Sequence, residues 1–156
     1  QGLEQVEAID ITALLQQLCS DKQPVLQQKG LRVESDLTPG VELQGERFLI
    51  QQALNNLIDN AIDFSPQDGT ITISTTIREG LCDIAIADQG PGIPDYARGR
   101  VFERFYSTPR PDGGAKSSGL GLSFVHEVAQ LHGGEVRLVG GMVGWWRCYP
   151  CQCLRL

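Results

Sequence analysis

Asn56 and Asn60 stand one helical turn apart in Asn56-Leu57-Ile58-Asp59-Asn60-Ala61, and Asp88-Gln89-Gly90-Pro91-Gly92-Ile93 closes an alternating apolar segment. Downstream, Ser118-Gly119-Leu120-Gly121-Leu122 opens a further apolar-periodic segment. Each cluster offers a different chemistry. A neutral amide oxygen can ligate Mg²⁺ without adding negative charge beside a polyphosphate. Asp88 shares a strand face with Cys82, Ile84 and Ile86, and a carboxylate on an apolar face needs a donor to offset its desolvation. An adenine amino group would be such a donor. Small residues at a helix start leave free N–H groups and a positive dipole end for phosphate. Read singly, each cluster has an ordinary explanation: an Asn pair at a helix edge, a turn Asp before Gly-Pro-Gly, a glycine-rich helix start. In this order they describe one pocket, with a base-reading carboxylate, a metal-binding amide and a backbone cradle. ATP is the first substrate to consider for it.

The rest of the chain must position these groups. At 156 residues it is long enough for one domain with a real core, and 41% hydrophobic with 21% charged residues is ordinary for a globular protein. A formal net charge of -6 opposes nucleic acid as a partner. No apolar run reaches membrane-spanning length, so no direct membrane contact is expected. The chain begins at Gln1 without a methionine, and residues 1–8 are read as a residual linker from an upstream domain. Cys19 and Cys82 sit at apolar-face positions and read as reduced, buried thiols. The cluster Cys148, Cys151 and Cys153 has no second ligand pair to complete a zinc site.

Asp10 is placed to cap a helix running to about Lys29, stopped by Gly30 and kinked or divided at Pro24. Strands are expected at Leu31 to Leu37 and, after Pro39-Gly40, at Val41 to Leu43. A long helix should run from about Glu46 to Phe64, with Ile50, Ala53, Leu54, Leu57, Ile58 and Ala61 as its apolar stripe. Asn56, Asn60 and Asp63 flank that stripe, so the amides should be half-buried at a pocket wall. A hairpin around Glu79-Gly80, a third helix from Leu120 to His132 and two closing strands about Gly140-Gly141 complete the reading. Helices and antiparallel strands without βαβ repetition indicate an α+β fold, helices layered on one sheet.

Taken jointly, Asn-x3-Asn-Ala, Asp-x-Gly-x-Gly-Ile, Phe102-Glu103-Arg104-Phe105 and Gly-Leu-Gly-Leu resemble the N, G1, F and G2 boxes of sensor histidine kinases. The catalytic ATP-binding domain of that family belongs to the GHKL superfamily, and the resemblance runs from about Ile9 to Val139. It implies a two-layer α/β sandwich of the Bergerat type, with helices on one face of a mixed, mostly antiparallel sheet, spanning residues 9–156. It implies that Asn60 ligates Mg²⁺ and that Asn56 lies near the phosphates of ATP, the two forming the catalytic pair. Asp88 would bind the adenine amino group, with Gly90, Gly92, Ile93 and Phe64 shaping the base pocket. Gly119, Leu120, Gly121 and Leu122 would hold the phosphates beneath a lid spanning roughly Phe105 to Ser118. Asp63 stands where the family usually has Lys or Arg, and Arg110 or Lys116 in the lid would supply the missing charge. Ser117 replaces the expected first glycine of the G2 box, and residues 140–153 depart from the family's closing Gly-x-Gly-Thr.

Hydrolytic members of the superfamily carry Glu where this chain has Asn56, and an amide is a poor general base. The expected function is therefore transfer of the ATP γ-phosphoryl group to a histidine on a separate dimerisation domain, for relay to a response regulator. His126 is expected on a solvated face and His132 at a helix end, so neither is the acceptor. The implied whole is a homodimer, with this part cytoplasmic beneath an inner-membrane sensor. The alternatives are a GHKL ATPase or serine kinase, or a nucleotide-sensing module without catalysis. The Pro, Gly and Ser content of Ser107–Ser117 predicts a segment that opens at little cost and orders around bound phosphates. Hydrogen exchange should show weak protection there without nucleotide and a gain with Mg²⁺-ATP; strong protection in the nucleotide-free protein overturns this.

Overall fold

The computed structural model describes residues 2–78, 80–90, 121–143 and 146–156, with backbone alone at 78, 138–143 and 146–153. The chain opens with strand β1 (Glu7–Asp10) and helices α1 (Ile11–Asp21) and α2 (Gln23–Lys29). Strands β2 (Arg32–Asp36) and β3 (Glu42–Gly45) then precede the long helix α3 (Arg47–Phe64). The hairpin β4 (Thr70–Arg78) and β5 (Leu81–Ala87), helix α4 (Gly121–Leu131) and strands β6 (Glu135–Val143) and β7 (Trp146–Arg155) complete the described residues.

Local chemistry accounts for most boundaries. Asp10 is extended, and its Oδ1 accepts the Ala13 N–H at 2.9 Å, capping α1. Ile11, Leu14, Leu15 and Leu18 then bury one face. Pro24 has no N–H to continue α1 and sits in the first turn of a new helix, so of the two expected outcomes, kink or division, the helix is divided. Gly30, at φ 69°, closes α2 in the left-handed conformation, packed so tightly against Asp68 that a side chain would collide with it.

A five-stranded sheet in the order β2-β4-β5-β7-β6 is parallel only at β2–β4 and antiparallel elsewhere. Ile71 and Ile73 of β4, Cys82, Ile84 and Ile86 of β5, Val136 and Leu154 face the helices and are buried with Leu54, Leu57 and Ile58 of α3. The intervening Thr72 and Thr76 are exposed, so the sandwich has two layers as expected. On that outer face Arg155 forks onto Asp83, with Nε and a terminal nitrogen 2.6 and 3.0 Å from the two carboxylate oxygens, which pins β7 to β5. Among the described residues no helix is long and apolar enough to cross a membrane.

Two features depart from the sequence reading. Residues 7–10 form β1, antiparallel to β3 in a separate two-stranded ribbon, so the stretch read as linker already enters the fold at Glu7. Gly140-Gly141 is not a turn but lies inside β6, where the register slips between Val139 and Gly141. An irregularity of that kind suits glycine, and the facing Pro150 is tolerated beside it. The stretch 140–153 that departs from the family's closing pattern also joins the sheet: β7 runs from Trp146 because pairing with β6 imposes extended backbone on a segment without alternation.

His132 locks the two long helices together. Its Nε2 accepts the Glu46 N–H at 3.1 Å, which requires the proton on Nδ1, 2.8 Å from the Val128 carbonyl. The start of α3 thus takes its cap from the residue that follows α4, and Gly45 is small because the imidazole lies against it. His132→Ala should cost about 1–3 kcal/mol through the uncapped Glu46 N–H. Urea unfolding showing a loss under about 0.5 kcal/mol would contradict this coupling.

Candidate nucleotide site

Asp88 follows β5 on the same face as Cys82, Ile84 and Ile86, which are all fully buried, and is itself 5% exposed. Its Oδ1 accepts the Gly90 N–H at 2.8 Å. Burial pushes its carboxyl up to about 6, against the pull of the Gly90 N–H and the positive charge of Lys29. Gly90 cannot carry a side chain here, because a Cβ would run into the Phe64 carbonyl at the end of α3. Gln89 anchors the same turn by accepting the Thr70 N–H at 3.0 Å. The end of β5 is therefore sealed onto the end of α3.

The apolar stripe of α3 is buried from Ile50 to Ile62, and this rotates Asn56 and Asn60 into half-buried positions beside it. Asn56 Nδ2 reaches the Gly121 carbonyl at 3.5 Å, while Gln52 Nε2 approaches Asn56 Oδ1 at 3.4 Å. Both are long contacts, so the amide is held loosely. Among the described residues nothing occupies the space where a Gly121 side chain would be, and the first turn of α4 carries no acidic residue. A helix start of this kind suits an anion, with no like charge in its first turn. Phe64 is buried and stands apart from the main core cluster. Asp63, one turn beyond Asn60, is exposed.

The contacts set Asn56 of α3 against Gly121 at the start of α4, and Phe64 at the end of α3 against Gly90, whose N–H donates to Asp88; Asn60 and Leu122 are half-buried. Gly92, Ile93, Arg110, Lys116, Gly119, Leu120, Ser117 and the Ser107–Ser117 segment lie outside the described residues. So do the side chains of Cys148, Cys151 and Cys153; among the described residues no cluster of His, Cys, Asp or Glu could hold a metal ion. Cys19 is half-buried and Cys82 buried, both as free thiols. His126 is half-buried rather than on a solvated face, because α4 packs both on α3 and on β6. Lys29 was not visible as a site residue. In the sequence it is only a cation in the last turn of a helix; the fold carries its Nζ to the Ile62 and Asp63 carbonyls, at 2.7 and 3.3 Å.

The raised Asp88 carboxyl has a consequence for stability. A carboxyl at about 6 in the folded chain against an ordinary value of 3.8 binds its proton more tightly folded than unfolded. Its contribution is fully present below pH 4 and is lost as pH rises to 6, by about 3 kcal/mol at most. Asp88→Asn should therefore stabilise the nucleotide-free domain at pH 7.5, with the gain vanishing toward pH 4. Urea titrations showing equal stability of the two proteins across that range would contradict a buried, ionised Asp88.

Comparison with known proteins agrees with this arrangement. A family model described as histidine kinase-, DNA gyrase B-, and HSP90-like ATPase matches residues 45–147, from the start of α3 into β7. The chain is 47% identical over 132 residues to the sensor protein CreC of Escherichia coli K12, which takes in 84% of this chain and 27% of that protein. The mycobacterial sensor histidine kinase MprB superposes with a TM-score of 0.77 at 30% identity, covering 96% of this chain and 95% of that one. Full-length ShkA, solved in complex with AMPPNP, gives a TM-score of 0.78 at 25% identity, covering 99% of this chain and 32% of that one. The chain spans about a quarter to a third of the length of the curated relatives it matches. From the sealed Asp88 turn to the amide stripe facing α4, this chain belongs to the histidine kinase-, DNA gyrase B- and HSP90-like ATPase family, as a catalytic domain of the sensor histidine kinase type.

Proposed function

We propose that this domain binds Mg²⁺-ATP along α3 and transfers its γ-phosphoryl group to a histidine on a separate dimerisation domain, for relay to a response regulator. The observation that carries this reading is the contact of Asn56 with Gly121, which sets the amide stripe against the start of α4. The Phe64–Gly90 contact lies eight residues further along α3, about 12 Å on a helix rising 1.5 Å per residue. An extended nucleoside triphosphate spans such a distance, with its base at Asp88 and its phosphates at the start of α4. That ShkA was solved in complex with AMPPNP supports an adenine nucleotide as the ligand.

The residues present fit Mg²⁺. A half-buried neutral amide at Asn60 offers one oxygen and leaves the remaining positions to phosphates and water, the habit of this cation. When bound, the ion would neutralise charge on the transferring phosphoryl group. The protein's own part is to hold the nucleotide by its base, direct the α4 N–H groups at the phosphates and supply no base of its own at Asn56. Phosphoryl transfer asks mainly for positioning and charge stabilisation. A separate acceptor imidazole then completes the reaction, placing the domain in a homodimeric sensor on the cytoplasmic side of an inner membrane. A second reading, a nucleotide-sensing module without transfer, draws on the exposed Asp63 where the family usually has a cation.

Incubation with γ-labelled ATP and a separately purified dimerisation domain should give acid-labile phosphohistidine on that domain. Asn60→Asp should change the Mg²⁺ dependence of nucleotide binding more than Asn56→Ala does. Steady phosphate release without an acceptor would favour an ATPase, and nucleotide binding with no transfer would favour the sensing module. Metal titrations of both variants that coincide with the parent would remove Asn60 from the metal.

A further inference from the structure

We infer that Lys29 is a positioning residue for the base end of the nucleotide site: its ammonium group fastens the last turn of α3 and keeps the Asp88 side chain in its charged, hydrogen-bond-accepting form. This rests on the reading of the pocket as a site for an adenine nucleotide.

The geometry is a short chain of contacts. Lys29 is half-buried, and its Nζ donates to the Ile62 carbonyl at 2.7 Å and the Asp63 carbonyl at 3.3 Å. These carbonyls belong to the helix end, where a cation is favoured. The next carbonyl, that of Phe64, is the one packed against Gly90, and the Gly90 N–H is the donor to Asp88. Around it, α2 is laced to the turn between α3 and β4: Asp68 N–H donates to the Lys29 carbonyl at 3.0 Å and Arg32 N–H to the Gly69 carbonyl at 3.0 Å. Lys29 therefore ties α2 to the end of α3, whose Phe64 carbonyl packs against the turn after β5.

The electrostatics point the same way. Burial opposes charge on Asp88, and the carboxylates on the adjoining elements, Asp63 at the end of α3 and Asp68 in the following turn, carry the same sign as an ionised Asp88. Burial is the largest influence, while the Gly90 N–H and then the positive charge of Lys29 favour the charged form. The protonation state matters for recognition. An ionised carboxylate accepts from the amino group of adenine, whereas guanine presents a carbonyl oxygen at the equivalent ring position. A protonated Asp88 would turn a donor toward that oxygen and lose its preference for adenine. By this account Lys29 contributes to the choice of base without touching the nucleotide.

The test uses Lys29→Gln, whose amide can still donate to the helix carbonyls but carries no charge, and Lys29→Arg, which keeps the charge. Carbon-detected NMR of the Asp88 carboxyl in the nucleotide-free domain reads the titration directly, and calorimetry from pH 5.5 to 8 reads the affinity for AMPPNP and for the corresponding guanine analogue. For Lys29→Gln the Asp88 midpoint should move up. AMPPNP affinity at pH 6 should fall roughly fivefold for a first unit of that shift, since binding follows the ionised fraction. Discrimination against the guanine analogue should shrink with it, and Lys29→Arg should restore both. In an Asp88→Asn background, Lys29→Gln should change neither the AMPPNP affinity nor its pH dependence, which removes the titration of the nucleotide itself from the comparison. If Lys29→Gln leaves the Asp88 midpoint where it is in the parent, or weakens binding equally in both backgrounds, Lys29 is only a structural clamp and the inference is overturned. A parent domain that binds no AMPPNP at any pH would instead overturn the reading of the pocket.

Discussion

Burial fixes the rotation of α3 about its own axis, and the site depends on that rotation. Ile50, Ala53, Leu54, Leu57, Ile58 and Ala61 are all at most 2% exposed. Turning the helix by even one residue would expose several of them, at about 1.5–3 kcal/mol for each large side chain. With that face committed to the sheet, Asn56 and Asn60 have one direction left, along the edge toward α4. Asn56 is therefore placed by the side chains beside it more than by its own contacts with Gln52 and Gly121, which are long.

The base end of the site is built on the opposite principle. There the fold spends stability on a buried carboxylate, and the surroundings limit the cost with a backbone N–H and a neighbouring cation. A group that ionises with difficulty in the empty pocket gains most from a donor brought by a ligand. Local destabilisation and recognition are then two aspects of one arrangement.

The remaining architecture serves to keep these two ends in register. His132 joins the start of α3 to the end of α4, so the amide stripe and the helix N-terminus facing it cannot slide independently. The Arg155–Asp83 fork and the mutual backbone bonds of Leu156 and Cys82, at 2.9 and 3.0 Å, tie the last strand to β5, the strand that delivers Asp88. An unusual closing sequence is thus accommodated because its last residues retain the alternation and the cation that pairing with β5 requires.

Wherever a residue's role follows from its nearest neighbours in the chain, the amino-acid order was sufficient. The cap at Asp10, the stop at Gly30, the apolar stripe of α3, the β4–β5 hairpin and the alternation that puts Asp88 on the buried face were legible because period and local hydrogen bonding carry them. The grouping of Asn56, Asp88 and Gly121 into one proposed site rests on their joint order, to which the structure adds the contact of Asn56 with Gly121. What tertiary structure alone decided involves partners far apart in sequence. β1 exists because β3 offers it an edge, and the segment from Trp146 becomes strand because β6 imposes it. Gly90 is required by the carbonyl of Phe64, and Lys29 reaches the helix end thirty-three residues away. No local pattern encodes such meetings, because their energy comes from burial and charge in a medium that exists only once the chain has closed around them.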